Sequence, residues 1–134
     1  MAACIFDRAS LHTSRGTCRP RARSYPAGVK TSVRRSIYDG ALTFGIPYSV
    51  MLQVARCESN LDPHADDGLH MGLFQFLPST FKQGAKALRG QTGIRARSYW
   101  NPLDAAYVAG YMFVNGQAEE WGCVPQLTPP PSAR

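Results

Sequence analysis

The segment RCESNLDPHADDGLHMGLFQFLPSTF, residues 56–81, decides the fold of this chain because three kinds of sequence meet in it. It begins with the end of a predicted helix, which carries the glutamate Glu58, and continues into a polar loop. Residues 60–76 contain aspartates, a proline and two glycines, which interrupt helices, so we predict a loop or a small β-hairpin there. The apolar and aromatic residues that follow lead into another helix near Pro78. A glutamate between a helix end and such a patch is well placed to face a cleft.

Helices are predicted on both sides of this segment from the spacing of apolar residues. Their ranges are 31–45, 47–59, 78–88 and 101–116. The residues expected to face the core are Val33, Ile37, Ala41 and Phe44, then Val50, Met51, Val54 and Ala55, and finally Leu103, Tyr107, Gly110, Tyr111 and Val114. The sequence therefore predicts a small, mainly α-helical domain with an irregular or β-hairpin insertion after Glu58.

The ends of these helices are predicted from residues that cap or interrupt a helix. The expected N-caps are Ser32 and Asn101, the prolines suited to a first turn are Pro47, Pro78 and Pro102, and the terminating glycines are Gly45 and Gly116. Asp104 lies in the first turn of the last helix, where a negative charge is favourable. These signals make the last helix the most clearly delimited of the set.

The chain has 134 residues and a formal net charge of +6, and the positive charge is concentrated at its amino-terminal end. Residues 1–35 carry a net charge of +7, whereas residues 36–134 carry −1. We expect a basic, disordered tail at residues 1–30, a folded domain at residues 31–124 and a Pro-rich tail at residues 125–134. The basic tail is either an electrostatic arm for a polyanion or a solvated segment without a binding role. The near-neutral body has no basic face readable from its sequence, so nucleic-acid binding is not expected.

The amino-terminal sequence lacks the form of an ordinary secretory signal peptide. Its first 16 residues contain only the short apolar run AACIF, and a signal peptide needs an apolar core of about 7–15 residues. A misassigned start site, a fragment or another export route are the alternatives. No apolar run approaches the roughly 20 residues that span a membrane, so no membrane span is expected.

Four cysteines, Cys4, Cys18, Cys57 and Cys123, permit three complete pairings. None are spaced as C-x-x-C, which argues against a zinc or thioredoxin-type site. Cys57 and Cys123 both lie in the predicted folded region, and we expect a disulfide between them that closes a long loop and contributes about 4 kcal/mol of stability. The alternative is a pair of buried free thiols, which are common in reducing compartments.

Glu58 is the candidate catalytic residue. Apolar surroundings and the negative end of its helix both favour the protonated form of its carboxyl group. A carboxylic acid that stays protonated near neutral pH can donate a proton to a leaving oxygen, as the general acids of glycosidases do. The alternative is an exposed, ionised glutamate at a helix end, and residue spacing alone does not distinguish the two.

Several groups of residues, taken in order, resemble a known family. They are residues 56–59 (RCES), Pro63, Ala65, residues 72–81 (GLFQFLPSTF) and residues 121–123 (WGC). They resemble the soluble lytic transglycosylase family, in its variant with a cysteine before the catalytic glutamate and a late Trp-x-Cys. The resemblance covers roughly residues 33–124, and so many ordered matches are more specific than a short motif. It implies a lysozyme-like α+β fold that is mainly α.

The resemblance implies a reaction as well as a fold. Glu58 would act first as acid and then as base in cleaving the β-1,4 bond between N-acetylmuramic acid and N-acetylglucosamine in peptidoglycan. The sugar's own 6-hydroxyl would close a 1,6-anhydro ring without water. A second carboxylate is unnecessary because the 2-acetamido group of the substrate can stabilise the oxocarbenium-like centre. No cofactor is implied, and the expected partner is a peptidoglycan glycan strand, bound by a monomer in the cell wall, the extracellular space or a phage particle.

The resemblance also implies residues that contact the substrate. They are Ser59, Phe74, Gln75, Leu77 and Tyr111. Gln75 matches a glutamine that lines the glycan groove, and Leu77 falls where an apolar residue contacts sugar. Phe74 and Phe76 flank Gln75, and each could stack on a sugar ring or belong to the core. Tyr111 would replace the tyrosine of the family's late Ala-Tyr-Asn-x-Gly signature, which this chain lacks.

Other interpretations of the same residues stay open. Asp62, Asp66 and Asp67 could hold a water molecule, which would make the chain a lysozyme-type hydrolase. The sequence at residues 69–72 (LHMG) departs from the family's Gly-Ala-x-Gly, which is compatible with a glycan-binding module that has lost catalysis. A calcium loop that begins at Asp62 would need a bidentate glutamate at its twelfth position, where this chain has Leu73. No metal site is therefore expected.

Overall fold

The computed structural model describes residues 24–123, which form four α-helices and one short 3₁₀ turn. The helices are α1 (Ser32–Phe44), α2 (Tyr48–Ser59), α3 (Pro78–Thr92) and α4 (Pro102–Val114), and the 3₁₀ turn is Ala118–Glu120. Within the insertion between α2 and α3, Met71 forms isolated antiparallel bridges to Asp66 and to Phe76. The predicted mainly α-helical fold with an irregular insertion after Glu58 is confirmed.

Helix α4 occupies the centre of the fold. Eight of its 13 residues are buried, and it packs against both α1 and α3. The sequence predicted a single apolar stripe, and that prediction is wrong at Val114, which is 47% exposed. Burial reaches beyond the stripe because neighbours cover α4 on several sides, as is typical of a helix that is apolar all round.

The ends of α1, α2 and α3 differ from the sequence prediction, and Pro47, expected in the first turn of α2, is its N-cap. Thr31, and not Ser32, is the N-cap of α1, since its side chain accepts a hydrogen bond from the Arg34 N–H at 3.2 Å. Helix α3 continues to Thr92, one turn beyond the predicted end at residue 88. It ends at Gly93, which adopts the left-handed conformation (φ 77°) that glycine accommodates without a steric penalty. The predicted caps Asn101 and Gly45 are confirmed.

The segment before α1 lies against that helix. Val29 is buried, and the Tyr25 hydroxyl donates a hydrogen bond to the Asp39 carboxylate at 2.9 Å. Residues 24–30, which the sequence analysis assigned to the tail, are therefore packed on the helical body. The rest of the predicted basic tail, with Cys4 and Cys18, and the predicted Pro-rich tail lie outside the described residues. Among the helices of residues 24–123, none is long and apolar enough to cross a membrane.

Candidate active site

Glu58 lies in the last turn of α2, next to the final residue of the helix, Ser59. Its side chain is half-buried, and its Oε1 accepts a hydrogen bond from the backbone N–H of Cys123 at 3.1 Å. Helix α2 ends immediately afterwards because Asn60 adopts a left-handed conformation (φ 54°), which asparagine tolerates better than most residues. The carboxyl group thus projects where the helix gives way to the insertion, and a residue 65 positions away in sequence holds one of its oxygens.

The predicted disulfide between Cys57 and Cys123 is present, with a Cα–Cα distance of 6.1 Å. The residue before Glu58 is therefore bonded covalently to the residue whose N–H binds the Glu58 carboxylate. This arrangement joins the segment after the 3₁₀ turn to the end of α2 in two independent ways. The disulfide was predictable from the sequence, whereas the hydrogen bond from the Cys123 N–H to Glu58 was not. Every residue except proline has a backbone N–H, so the residue type does not indicate which of them binds a carboxylate.

Trp121 connects this segment to the apolar part of the insertion. Its Nε1–H donates to the carbonyl oxygen of Phe74 at 2.8 Å, and its ring packs edge-on against Phe76 and Phe113 at centroid distances of 5.6 and 4.6 Å. The side chain is 5% exposed. Trp121 therefore fixes the position from which the chain reaches Cys123 and Glu58, a role that the Trp-x-Cys motif alone did not reveal.

Ser59 ties α2 to the insertion. Its hydroxyl lies 2.7 Å from the carbonyl oxygen of Leu73 and 3.0 Å from that of Ala55, and it has one proton to donate between them. Nearby, Gly72 has φ 83°, and a Cβ at this position would collide with the carbonyl oxygen of Tyr99. Ser59 and Gly72 thus position the insertion beside Glu58. The substrate contact that the resemblance implies for Ser59 stays a prediction.

Gln75 and Leu77 lie together at a small cavity of about 40 Å³. Gln75 has a left-handed backbone (φ 52°), and its Nε2 donates to the carbonyl oxygens of Ala65 and Gly72 at 3.1 and 2.9 Å. Leu77 is 41% exposed. The cavity is also lined by His70, Thr80 and Glu120, which were not predicted as site residues because they lie in separate segments of the sequence and meet only in the folded chain.

The predicted substrate contact by Phe74 is wrong. Phe74 is fully buried and packs against Phe113, so its ring is covered by the core and cannot stack on a sugar. Phe76, the other flanking aromatic residue, is also a core residue. Tyr111 is 6% exposed, with its ring against Phe44 on α1. Most of Tyr111 therefore belongs to the core, and a contact between its hydroxyl group and the substrate stays a prediction.

The aspartates of the insertion bind its own backbone. The carboxylate of Asp62 accepts the N–H of His64, and that of Asp66 accepts the N–H of Gly68, both at 2.8 Å. Asp67 accepts the N–H groups of residues 69 and 70. These backbone donors, with the His70 side chain 2.9 Å away, lower the pKa of Asp67 from 3.8 to about 2. Within residues 24–123 no three potential metal-ligating side chains converge.

Comparison with known protein families gives one match. A family model described as "Transglycosylase SLT domain" matches residues 36–120. The matched range extends from α1 to the 3₁₀ turn and includes Glu58 with the whole insertion. Comparisons with curated proteins and with solved structures give no significant match.

Proposed function

This chain belongs to the transglycosylase SLT domain family, and we propose that it is a lytic transglycosylase with Glu58 as its catalytic acid and base. Membership indicates a peptidoglycan-cleaving activity of the transglycosylase type. The proposal adds the bond, the product and the residue: cleavage of the β-1,4 bond between N-acetylmuramic acid and N-acetylglucosamine, with a 1,6-anhydro end on the muramic acid. The observation that carries it is the Glu58 carboxyl group, held at the end of α2 by the Cys123 N–H.

The reaction needs one carboxyl group used twice. Protonated Glu58 donates its proton to the glycosidic oxygen, and the bond between that oxygen and the muramic acid C1 breaks. The carboxylate then takes the proton of the 6-hydroxyl, whose oxygen bonds to C1 and closes the anhydro ring. The proton given in the first step is recovered in the second, and no water is consumed. Because the Cys123 N–H engages Oε1, we assign the proton transfers to Oε2.

The aspartates of the insertion bear on the choice between transglycosylation and hydrolysis. A hydrolase of the two-carboxylate type needs a second carboxylate that is free to act as a nucleophile or to activate water. Asp67 does not meet this need, because both of its oxygens are engaged, Oδ1 by the N–H groups of Leu69 and His70 and Oδ2 by the His70 ring. Asp62 and Asp66 each accept one backbone N–H on Oδ1, so the products themselves distinguish hydrolysis from transglycosylation. Glycan binding is assigned to Gln75 and Leu77 at the small cavity, with a peptidoglycan strand as the partner and no cofactor.

Activity on peptidoglycan implies access to the cell wall, outside the cytoplasm. The Cys57–Cys123 disulfide is consistent with that location, because disulfides persist in oxidising compartments. The proposed place of action is therefore the extracellular or periplasmic side of the membrane. A virion that carries the protein into the cell wall would meet the same requirement.

Mass spectrometry of purified peptidoglycan incubated with the protein tests the proposal. We expect anhydro-muropeptides from the wild type and none from Glu58→Gln, which keeps the shape of the side chain and removes the transferable proton. Glu119→Gln is the matched control, since it makes the same substitution at an exposed glutamate of the 3₁₀ turn, whereas Glu58 is half-buried at the end of α2. Fragments with reducing ends would assign hydrolysis instead, and equal products from Glu58→Gln would remove Glu58 from the mechanism.

A further inference from the structure

A basic groove lies along α3 and the connection that follows it. It is lined by Lys82, Lys86, Arg89, Arg95 and Arg97, with Ala85 and Ala96, and has a volume of about 410 Å³. All five cationic side chains are exposed, and no carboxylate lines the groove. Among residues 24–123, none of the five lies within salt-bridge distance of an acidic side chain. The groove is thus a concave surface lined by cations, with one carboxylate close by, that of Asp104, which accepts the backbone N–H groups of Arg97 and Ser98 at 2.9 and 3.2 Å.

Folding brings together positive charges that are separated along the sequence. Residues 36–134 contain seven Lys and Arg residues against eight acidic ones, and five of those seven line the basic groove. The folded body therefore has a basic face that was not readable from its sequence. The carboxylates of this region include Glu58 and the aspartates of the insertion, none of which lines the groove. The net charge of residues 36–134 gave no indication of the groove, because it adds positive and negative side chains regardless of where they lie in the fold.

The groove combines two local geometries. Lys82, Lys86 and Arg89 follow the i, i+4, i+7 spacing of a single helix face, which spans about 10 Å along α3 at 1.5 Å per residue. Arg95 and Arg97 flank the half-buried Ala96 in the irregular connection between α3 and α4, and all three residues line the groove. Like charges at i and i+4 destabilise a helix, so the Lys82–Lys86 pair has no explanation in the folding of α3.

We propose that the basic groove binds a phosphodiester-linked polyanion carried by the peptidoglycan, and so holds the protein on its substrate. The choice of partner rests on the proposed function, since that function places the protein at the cell wall. Several cations over about 10 Å suit a polymer with regularly repeated charges better than a single small anion. Arginine also presents planar donors that match phosphate oxygens.

Other polyanions fit the groove less well. Proteins that bind single-stranded nucleic acids stack the bases on aromatic side chains, and no aromatic residue lines this groove. The peptides of peptidoglycan carry amino groups together with carboxylates, whereas a phosphodiester polymer is negative throughout. The wall polymer therefore matches a groove that contains only cations and alanines.

Binding to insoluble wall sacculi tests the proposal. The probe is a sacculus preparation that retains its phosphodiester polymer, compared with the same preparation stripped by hydrofluoric acid. The full chain is used with Glu58→Gln, so that no glycan is cut and the measurement does not depend on the proposed activity. The groove variant adds Lys86→Glu and Arg89→Glu to this parent. The control adds Lys30→Glu and Arg34→Glu instead, which changes the net charge by the same amount. Its two residues lie in or just before α1 and are exposed or half-exposed.

We expect the parent to bind retained sacculi more tightly than stripped ones, with a preference that declines as salt rises. The groove variant should bind retained sacculi at least about tenfold more weakly than the parent, and the control should stay close to the parent. Equal binding to both preparations, or an equal loss in the control, would overturn the proposal. Tighter binding to duplex DNA or to anionic phospholipid vesicles than to the purified polymer would overturn it as well. Failure of the proposed function would appear separately, as an absence of muropeptides.

Discussion

The hydroxyl of Tyr48 is a buried polar group that finds no hydrogen-bond partner among residues 24–123. Its ring lies in the first turn of α2, edge-on to Tyr38 at a centroid distance of 5.8 Å. Burying a hydroxyl without a partner costs roughly 1–3 kcal/mol. We therefore expect Tyr48→Phe to raise the free energy of unfolding by about 1 kcal/mol, measured by urea denaturation.

Tyr38→Phe serves as the control for this substitution. Tyr38 belongs to the same aromatic stack, but it is half-buried, so removing its hydroxyl should change the free energy of unfolding by less than about 0.5 kcal/mol. A clear loss of stability in Tyr48→Phe would mean that the hydroxyl is hydrogen-bonded after all.

At the scale of single residues, the sequence identified Glu58, Cys57 and Cys123 but misjudged Phe74. A motif fixes which residues occupy a site, whereas burial depends on the packing of distant segments. Phe74 is covered by Phe113, which is 39 positions away in the chain. No local pattern separates a phenylalanine that faces a cleft from one that faces the core.

The crossing of α1 and α4 is close because small residues meet there. A Cβ at Gly40 would lie 2.8 Å from both the Cβ and the carbonyl oxygen of Ala106, and the backbone oxygen cannot move aside cheaply. We expect Gly40→Ala to lower the free energy of unfolding by about 1–3 kcal/mol. Gly90→Ala is the matched control, because a Cβ there meets nothing within 4 Å, and it should stabilise α3 by up to about 1 kcal/mol. If both variants gain stability in urea denaturation, the crossing tolerates a wider separation than the structure has.

The insertion gives a second prediction for an element, through Asp67. Backbone N–H groups of His70 and Leu69 lower its pKa from 3.8 to about 2. A carboxyl group whose pKa is lowered on folding stabilises the folded state above its unfolded pKa, and this contribution is lost as the pH falls through the folded pKa. In thermal denaturation from pH 5 to pH 2, the wild type should therefore lose stability more steeply than Asp67→Asn, mainly between about pH 4 and pH 2. Parallel curves for the two proteins would contradict the assignment.

Helix boundaries could be predicted from the sequence where a capping residue marks them. The burial of individual helix residues could not be predicted in the same way. Asn101 and Gly45 marked their helix ends correctly, whereas the predicted end of α3 at residue 88 had no capping residue to support it, and the helix continues to Thr92. The burial of eight of the 13 residues of α4 follows from its packing against α1 and α3. That burial could not be read from the spacing of the residues in α4 alone.

The whole molecule separates two kinds of surface. The end of α2 carries Glu58, and the basic groove on α3 is lined by cations and alanines without Glu58 or any aspartate of the insertion. In the proposed function, Glu58 cleaves a glycan strand, and the basic groove binds a polyanion attached to the same cell wall. Sequence analysis placed the excess positive charge of the chain in the amino-terminal tail, and folding shows a second concentration within the body.

The Cys57–Cys123 disulfide links the stability of the whole molecule to the position of its catalytic residue. The two cysteines are 66 residues apart, and a loop of that size makes the disulfide worth about 4 kcal/mol in the chain-entropy model. We expect Cys57→Ser with Cys123→Ser to lower the free energy of unfolding by about that amount.

Muropeptide release per folded molecule of this variant should fall at least about tenfold. The Cys123 N–H would no longer hold Glu58, and small displacements of catalytic groups reduce the rate strongly. Cys4→Ser with Cys18→Ser is the control. Lower stability with unchanged release, measured at a temperature where the variant is fully folded, would show that the disulfide stabilises the fold without positioning Glu58.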